Sequence, residues 1–102
     1  MSNKMLNKLT DIETIIKANK RFLNERYRVK ELGIFGSYLH GEQKAKSDLD
    51  LLVEFNEPIG FFDFVRLENE LTRLLGIKVD LVMKDSLKPR LKEKLIREAQ
   101  YI

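Results

Sequence analysis

Asp48 and Asp50 are separated by a single leucine in the run Ser47-Asp48-Leu49-Asp50-Leu51-Leu52-Val53. Large apolar and β-branched residues close the run, which reads as a strand. Alternate strand residues share a face and lie about 6.5–7 Å apart along the chain. The two carboxylates therefore point to one side, while Leu49 and Leu51 point to the core. Like charges at this spacing repel, and a divalent cation between them removes the repulsion. Mg2+ suits the task, because it takes carboxylate oxygens and keeps positions open for water and substrate phosphates. An Asp-x-Asp pair alone is common at strand ends, but here it sits where carboxylates are otherwise depleted. A third aspartate, Asp80, lies in a second apolar run, Ile77-Lys78-Val79-Asp80-Leu81-Val82. On a neighbouring strand it would give three converging carboxylates. Such a set can clamp two metals about 3.5–4 Å apart, one activating an attacking hydroxyl and the other steadying a leaving pyrophosphate.

The second chemical feature is the turn Gly36-Ser37-Tyr38-Leu39-His40-Gly41, directly after an apolar strand. Gly36 permits a positive φ and a close backbone approach to a ligand. Ser37 offers a hydroxyl and a backbone N–H, and a helical turn over 37–40 would aim several N–H groups at an anion. A tight turn is the plainer reading of Gly-Ser by itself. No Gly-Lys-Ser/Thr at P-loop spacing follows, and the Gly-x-Gly-x-x-Gly of dinucleotide-binding turns is missing.

Positioning these groups takes a small set of elements. Thr10 and Glu13 read as a capping box opening a first helix, with Ile12, Ile15, Ile16, Phe22 and Leu23 as its core stripe. Strands are expected at 29–35, 47–55 and 77–83, a long helix at 61–75 stopped by Gly76, and a basic helix at 91–100. Phe61 and Phe64 fit the core of the long helix, with Phe62 left for an interface. Tyr38 reads as packing, and Glu54 as a solvated strand end. The polar loop 42–46 makes the first two strands an antiparallel pair, and the helical crossover makes the second and third parallel. The expected class is α/β (α+β): a small mixed sheet with helices on at least one face.

The chain has 102 residues, which suits a single domain over 1–102. It holds 43 % hydrophobic and 34 % charged residues and no cysteine. Disulfide scaffolds and thiolate metal sites are thereby excluded, and a reducing cytoplasm is expected. No apolar stretch is long enough to span a membrane, and no signal peptide is visible. The net charge of +3 is unevenly spread. Residues 1–31 carry eight basic against four acidic side chains, residues 32–83 five against nine, and residues 84–102 six against three. An acidic centre with basic ends suits a polyanion held through divalent metals. The basic ends equally suit solvated helix faces, an acidic partner or nucleic acid.

Gly-Ser, then Ser-Asp-x-Asp beginning ten residues past that serine, then an aspartate in a third strand, is a far rarer constellation than any of its parts. It resembles the nucleotidyltransferase superfamily that includes DNA polymerase beta. In its short span, from about 31 to 82, the chain looks like the minimal nucleotidyltransferase (MNT) family. The resemblance implies a polymerase beta-like fold with a three- to four-stranded sheet. It implies that Gly36 and Ser37, with Ser47, contact the nucleotide, and that Asp48, Asp50 and Asp80 are both catalytic and metal-binding. It also implies two Mg2+ ions and ATP as substrate. Family members act as antitoxins of HEPN-domain toxins, some by transferring AMP to a toxin tyrosine, so a hetero-oligomer with a HEPN-type toxin is implied. One departure stands out. The family's turn often carries Arg before its second glycine, where this chain has His40. His40 either grips phosphate more weakly, lacking the bidentate fork of arginine, or faces solvent.

Two functional classes follow: an enzyme that modifies a protein hydroxyl, and an antitoxin that neutralises its partner by binding alone. A transferase acting on a small molecule or RNA with a second subunit is a third reading. The base of the nucleotide is not legible in the sequence.

Overall fold

The computed structural model describes residues 9–42 and 48–102. Ser47 and the rest of the loop at 43–47 lie outside the described residues, as does residue 47 of the expected second strand. Helices α1 (Leu9–Ala18) and α2 (Lys20–Tyr27) lead into β1 (Val29–Phe35), and a 3₁₀ turn (Gly36–Tyr38) follows. Then come β2 (Leu49–Phe55), α3 (Phe61–Leu75), β3 (Val79–Met83), a second 3₁₀ turn (Lys84–Ser86), α4 (Pro89–Glu98) and β4 (Gln100–Tyr101). The strands form one mixed sheet in the order β3-β2-β1-β4. β1 pairs antiparallel with both β2 and β4, and β2 pairs parallel with β3.

Strand periodicity sorts the side chains onto two faces. Leu32 and Ile34 of β1, Leu49, Leu51 and Val53 of β2, and Val79 and Leu81 of β3 are buried in one core cluster. The helices supply Ile12, Ile16, Leu23, Tyr27, Leu67, Leu71 and Leu75 to the same cluster. Each such leucine contributes about 1.5–3 kcal/mol on leaving water, and this burial sets the register of β2. The residues between them are thereby forced onto the opposite face: Gly33 and Phe35, Asp50, Leu52 and Glu54, Asp80 and Val82.

Six expectations are corrected. Thr10 is inside α1, where its carbonyl accepts from Thr14 Oγ1 at 2.8 Å, so it does not cap. Glu13 instead accepts a hydrogen bond from the Gln100 side chain. The first helix is two helices, broken at Asn19, whose side-chain amide donates to the Ile15 carbonyl at 2.8 Å and competes with the helical ladder. The break rotates Phe22 off the core stripe to 42 % exposure, leaving Leu23 and Tyr27 inside. Phe61 is also outside the core: it and Phe62, at the start of α3, are 73 % and 76 % exposed, while Leu67, Leu71 and Leu75 carry the packing. The third strand starts at Val79, not 77, and the last helix ends at Glu98, so that Gln100 and Tyr101 pair with β1.

Candidate active site

The carboxylates are placed by strand pairing. Asp50 of β2 is the register partner of Asp80 of β3, one strand over, and of Phe35 of β1 on its other side. Their neighbours Leu49, Leu51, Val79 and Leu81 are buried in the core, so Asp50 and Asp80 share the opposite face. The two carboxyl groups lie within reach of each other. Burial raises the Asp50 pKa above the ordinary carboxylate value, and the negative charges of Asp80 and then Asp48 raise it further. Asp48 lies one residue before β2 and is exposed, as is Asp80, while Asp50 is half-buried. The structure thus brings Asp50 and Asp80 into contact and sets Asp48 close enough to act on Asp50 through its charge. Among the described residues, no three acidic or imidazole side chains already stand together as a closed metal cage. None of the three aspartates makes an ion pair with a described cation. An all-oxygen donor set with unrelieved mutual repulsion fits a hard divalent cation.

The glycine turn abuts this pair. Gly36 takes φ +78, which β-carbon-bearing residues avoid. The chain then winds through a 3₁₀ turn in which the Leu39 and His40 N–H groups donate to the Gly36 carbonyl at 3.1 and 3.3 Å. Glu42 N–H closes the loop on the Ser37 carbonyl at 2.8 Å. These bonds use the N–H groups of Leu39, His40 and Glu42, and the Cα of Gly36 stands against the Asp50 carboxylate. Tyr38 is buried in the core, and its phenol is pushed up by burial and by the nearby charge of Asp48. His40 is exposed.

Sequence reasoning missed a second polar group on the same face. Lys84 follows β3, and its side chain is only 17 % exposed. It donates to Glu54 at 3.1 Å, lies 3.6 Å from Glu31, and sits 5.2 Å from the centre of the Tyr101 ring. Lys30 approaches Glu54 at 3.7 Å. Glu54 is therefore a bridged residue, not a solvated strand end. Burial alone would lower the Lys84 pKa; the hydrogen bond to Glu54 and the charges around it outweigh burial and raise it. The alternation Asp50, Leu52, Glu54 was the available signal, but the cation comes from a different strand end. Between the two polar ends lie Leu52, buried, and Gly33, over which the Tyr101 ring packs.

A nucleotidyltransferase domain profile matches residues 15–102, a span that contains the turn and all three aspartates. The chain belongs to the nucleotidyltransferase family. It is 48 % identical over 94 residues to the protein adenylyltransferase MntA of Thermococcus cleftensis, covering 92 % of this chain and 95 % of that one. Among solved structures, one described as a minimal nucleotidyltransferase superposes with a TM-score of 0.73 at 37 % identity, over 97 % of both chains. A crystal structure of a toxin–antitoxin with AMP-PNP gives a TM-score of 0.70 at 25 % identity, over 88 % of this chain and 70 % of that one. The four-stranded mixed sheet is the fold of these nucleotidyltransferases, and the class read from the sequence agrees with it. Among the described residues, no helix is long and apolar enough to cross a membrane.

Proposed function

We propose that this nucleotidyltransferase is the antitoxin of a toxin–antitoxin pair and transfers AMP from ATP to a tyrosine hydroxyl of a HEPN-type toxin, with which it forms a hetero-oligomer. The observation that carries the reading is the parallel register of Asp50 with Asp80 beside the Gly36 turn. The 48 % identity to a protein adenylyltransferase over nearly the whole of both chains supports the acceptor class. The likeness to an antitoxin solved with AMP-PNP supports the nucleotide and the partner. We read residues 1–102 as a single domain, and its freedom from cysteine suits work in the reducing cytoplasm.

Asp48, Asp50 and Asp80 would hold two Mg2+ ions, and Gly36, Ser37 and Ser47 would contact the phosphates. Bound Mg2+ supplies neutralising charge to the triphosphate and acidifies the acceptor hydroxyl. The chain's own groups do the rest. The turn fixes the β- and γ-phosphates, so that the α-phosphorus lies over the carboxylate face. Asp80, exposed beside Asp50, receives the proton of the acceptor hydroxyl. The acceptor oxygen bonds to the α-phosphorus, the bond from that phosphorus to the bridging oxygen breaks, and pyrophosphate leaves. Asp48 and Asp80 are exposed, and Asp50 is half-buried. They line neither the cavity of about 440 Å³ beside Phe61 and Met83 nor that of about 320 Å³ beside Leu23 and Ile102. Exposed carboxylates suit a protein acceptor, which brings its own surface.

Incubation with Mg2+, labelled ATP and the toxin tests the proposal. Label on the toxin is expected, and its loss in Asp48→Ala and Asp50→Ala. An intact complex without label would favour neutralisation by binding, the reading that the exposed His40 in place of arginine supports. Transfer persisting in both variants would move the metal site elsewhere.

A further inference from the structure

Two glycines of the turn after β1 lie in the left-handed region, Gly36 at φ +78 and Gly41 at φ +70. Their surroundings differ sharply. A β-carbon built on Gly41 meets nothing within 4 Å. One built on Gly36 would stand 2.2 Å from Asp50 Oδ2, 3.1 Å from its Cγ and 3.3 Å from its Cβ. The topology explains the approach. Phe35 is the register partner of Asp50, so the next residue turns directly over the Asp50 side chain. On its far side, Asp50 meets Asp80 of the adjacent strand. The carboxylate is thus held in a slot with the bare Cα of Gly36 as one wall and Asp80 as the other.

We propose that Gly36 is a positioning residue for the metal-binding carboxylate: the missing β-carbon seats Asp50 against Asp80 and ties the turn to the carboxylate pair. The inference rests on Asp50 being a metal ligand, as proposed above. It differs from the phosphate role that the glycine turn suggests by itself, which makes no demand on Asp50. It also predicts an uneven penalty. The atom in the way is the tip of a short side chain, which can rotate aside. A β-carbon at position 36 therefore adds the cost of displacing Asp50 to that of the strained φ, and removes the carboxylate from its place.

Gly41 supplies the control, since alanine there brings the same backbone strain without the collision. The experiment measures Mn2+ binding to the full chain without nucleotide, by calorimetry, together with thermal melting in EDTA. The variants are Gly36→Ala, Gly41→Ala, Asp50→Ala and the double variant Gly36→Ala/Asp50→Ala. Gly36→Ala is expected to weaken Mn2+ binding by about 10–100-fold, the range seen when groups supporting a metal ligand are removed. Gly41→Ala should bind Mn2+ as the parent does. The melting loss caused by Gly36→Ala should shrink when Asp50 is already alanine, the signature of a direct contact in a double-mutant cycle. Parent-like Mn2+ affinity in Gly36→Ala, with Asp50→Ala defective, overturns the inference and leaves the proposed function standing. An equal melting loss in both backgrounds also overturns it. Should Gly36→Ala alone not fold, recovery of folding in the double variant supports the inference, and failure there refutes it. Parent-like binding in Asp50→Ala removes Asp50 from the metal site, and the functional reading of these carboxylates falls with the inference.

Discussion

One face of the sheet carries acidic groups at both ends, and the two ends are treated in opposite ways. At the end nearer β4 and the second 3₁₀ turn, Glu31 and Glu54 are cross-strand partners whose repulsion is relieved by Lys84 and Lys30. At the other end, Asp50 and Asp80 are cross-strand partners with Asp48 nearby, and no described cation answers them. Leu52, which is buried, and Gly33, under the Tyr101 ring, separate the two ends. Among the described residues, cations answer the first pair of carboxylates and none answers the second. At the second end, burial and then the negative charges of Asp80 and Asp48 raise the Asp50 pKa.

Removing one charge from each end tests this contrast. Asp80→Asn should lower AMP transfer by at least ~10²-fold, since even groups behind metal ligands cost 10–100-fold. In EDTA the same substitution should not lower the melting temperature, because it relieves repulsion. Lys84→Met should do the reverse: transfer persists, while stability falls by about 1–3 kcal/mol as Glu31 and Glu54 are left facing each other. If both substitutions destabilised the metal-free protein alike, the two ends would not differ in kind.

The Lys84 end also predicts a pH response. Its folded pKa is raised above the ordinary 10.5 of lysine. Its contribution is therefore complete below the unfolded value and is lost as pH rises through the folded one. Alkaline melts above about pH 10.5 should show a loss of stability that is smaller in Lys84→Met. A smaller effect is expected at Gly33, where a β-carbon would lie 3.0 Å from two Tyr101 ring atoms. Gly33→Ala should cost about 1 kcal/mol and speed amide exchange at Ile102, whose N–H donates to Leu32. The smallest change concerns His40. His40→Arg should lower the ATP KM by about 2–5-fold, the worth of one exposed charge contact, without altering the melting temperature.

The strand 29–35 and the helix 61–75 were legible because each has its own punctuation. β1 is an apolar run bounded by Gly36, and α3 repeats its leucines at helical spacing until Gly76. The motif residues were legible for a similar reason: Asp50 and Asp80 interrupt apolar strands, where a carboxylate is out of place. The break at Asn19 was not, because the apolar stripe continues across it and only the asparagine amide decides against the helix. β4 was hidden too, since two residues carry no periodicity and Gln100-Tyr101 becomes a strand only beside the free edge of β1.

The sequence by itself determined which residues were candidates for chemistry, because residue types and their spacing along single strands are local properties. It specified that Asp50 lies between the core-facing Leu49 and Leu51 and that Gly36 can turn where other residues cannot, while Asp48, expected on the same strand, lies one residue before it. The tertiary structure decided what those groups meet, because register between strands is a property of the packed core. It put Asp80 opposite Asp50, brought Lys84 to Glu31 and Glu54, and folded the bare Cα of Gly36 against a carboxylate fourteen residues away.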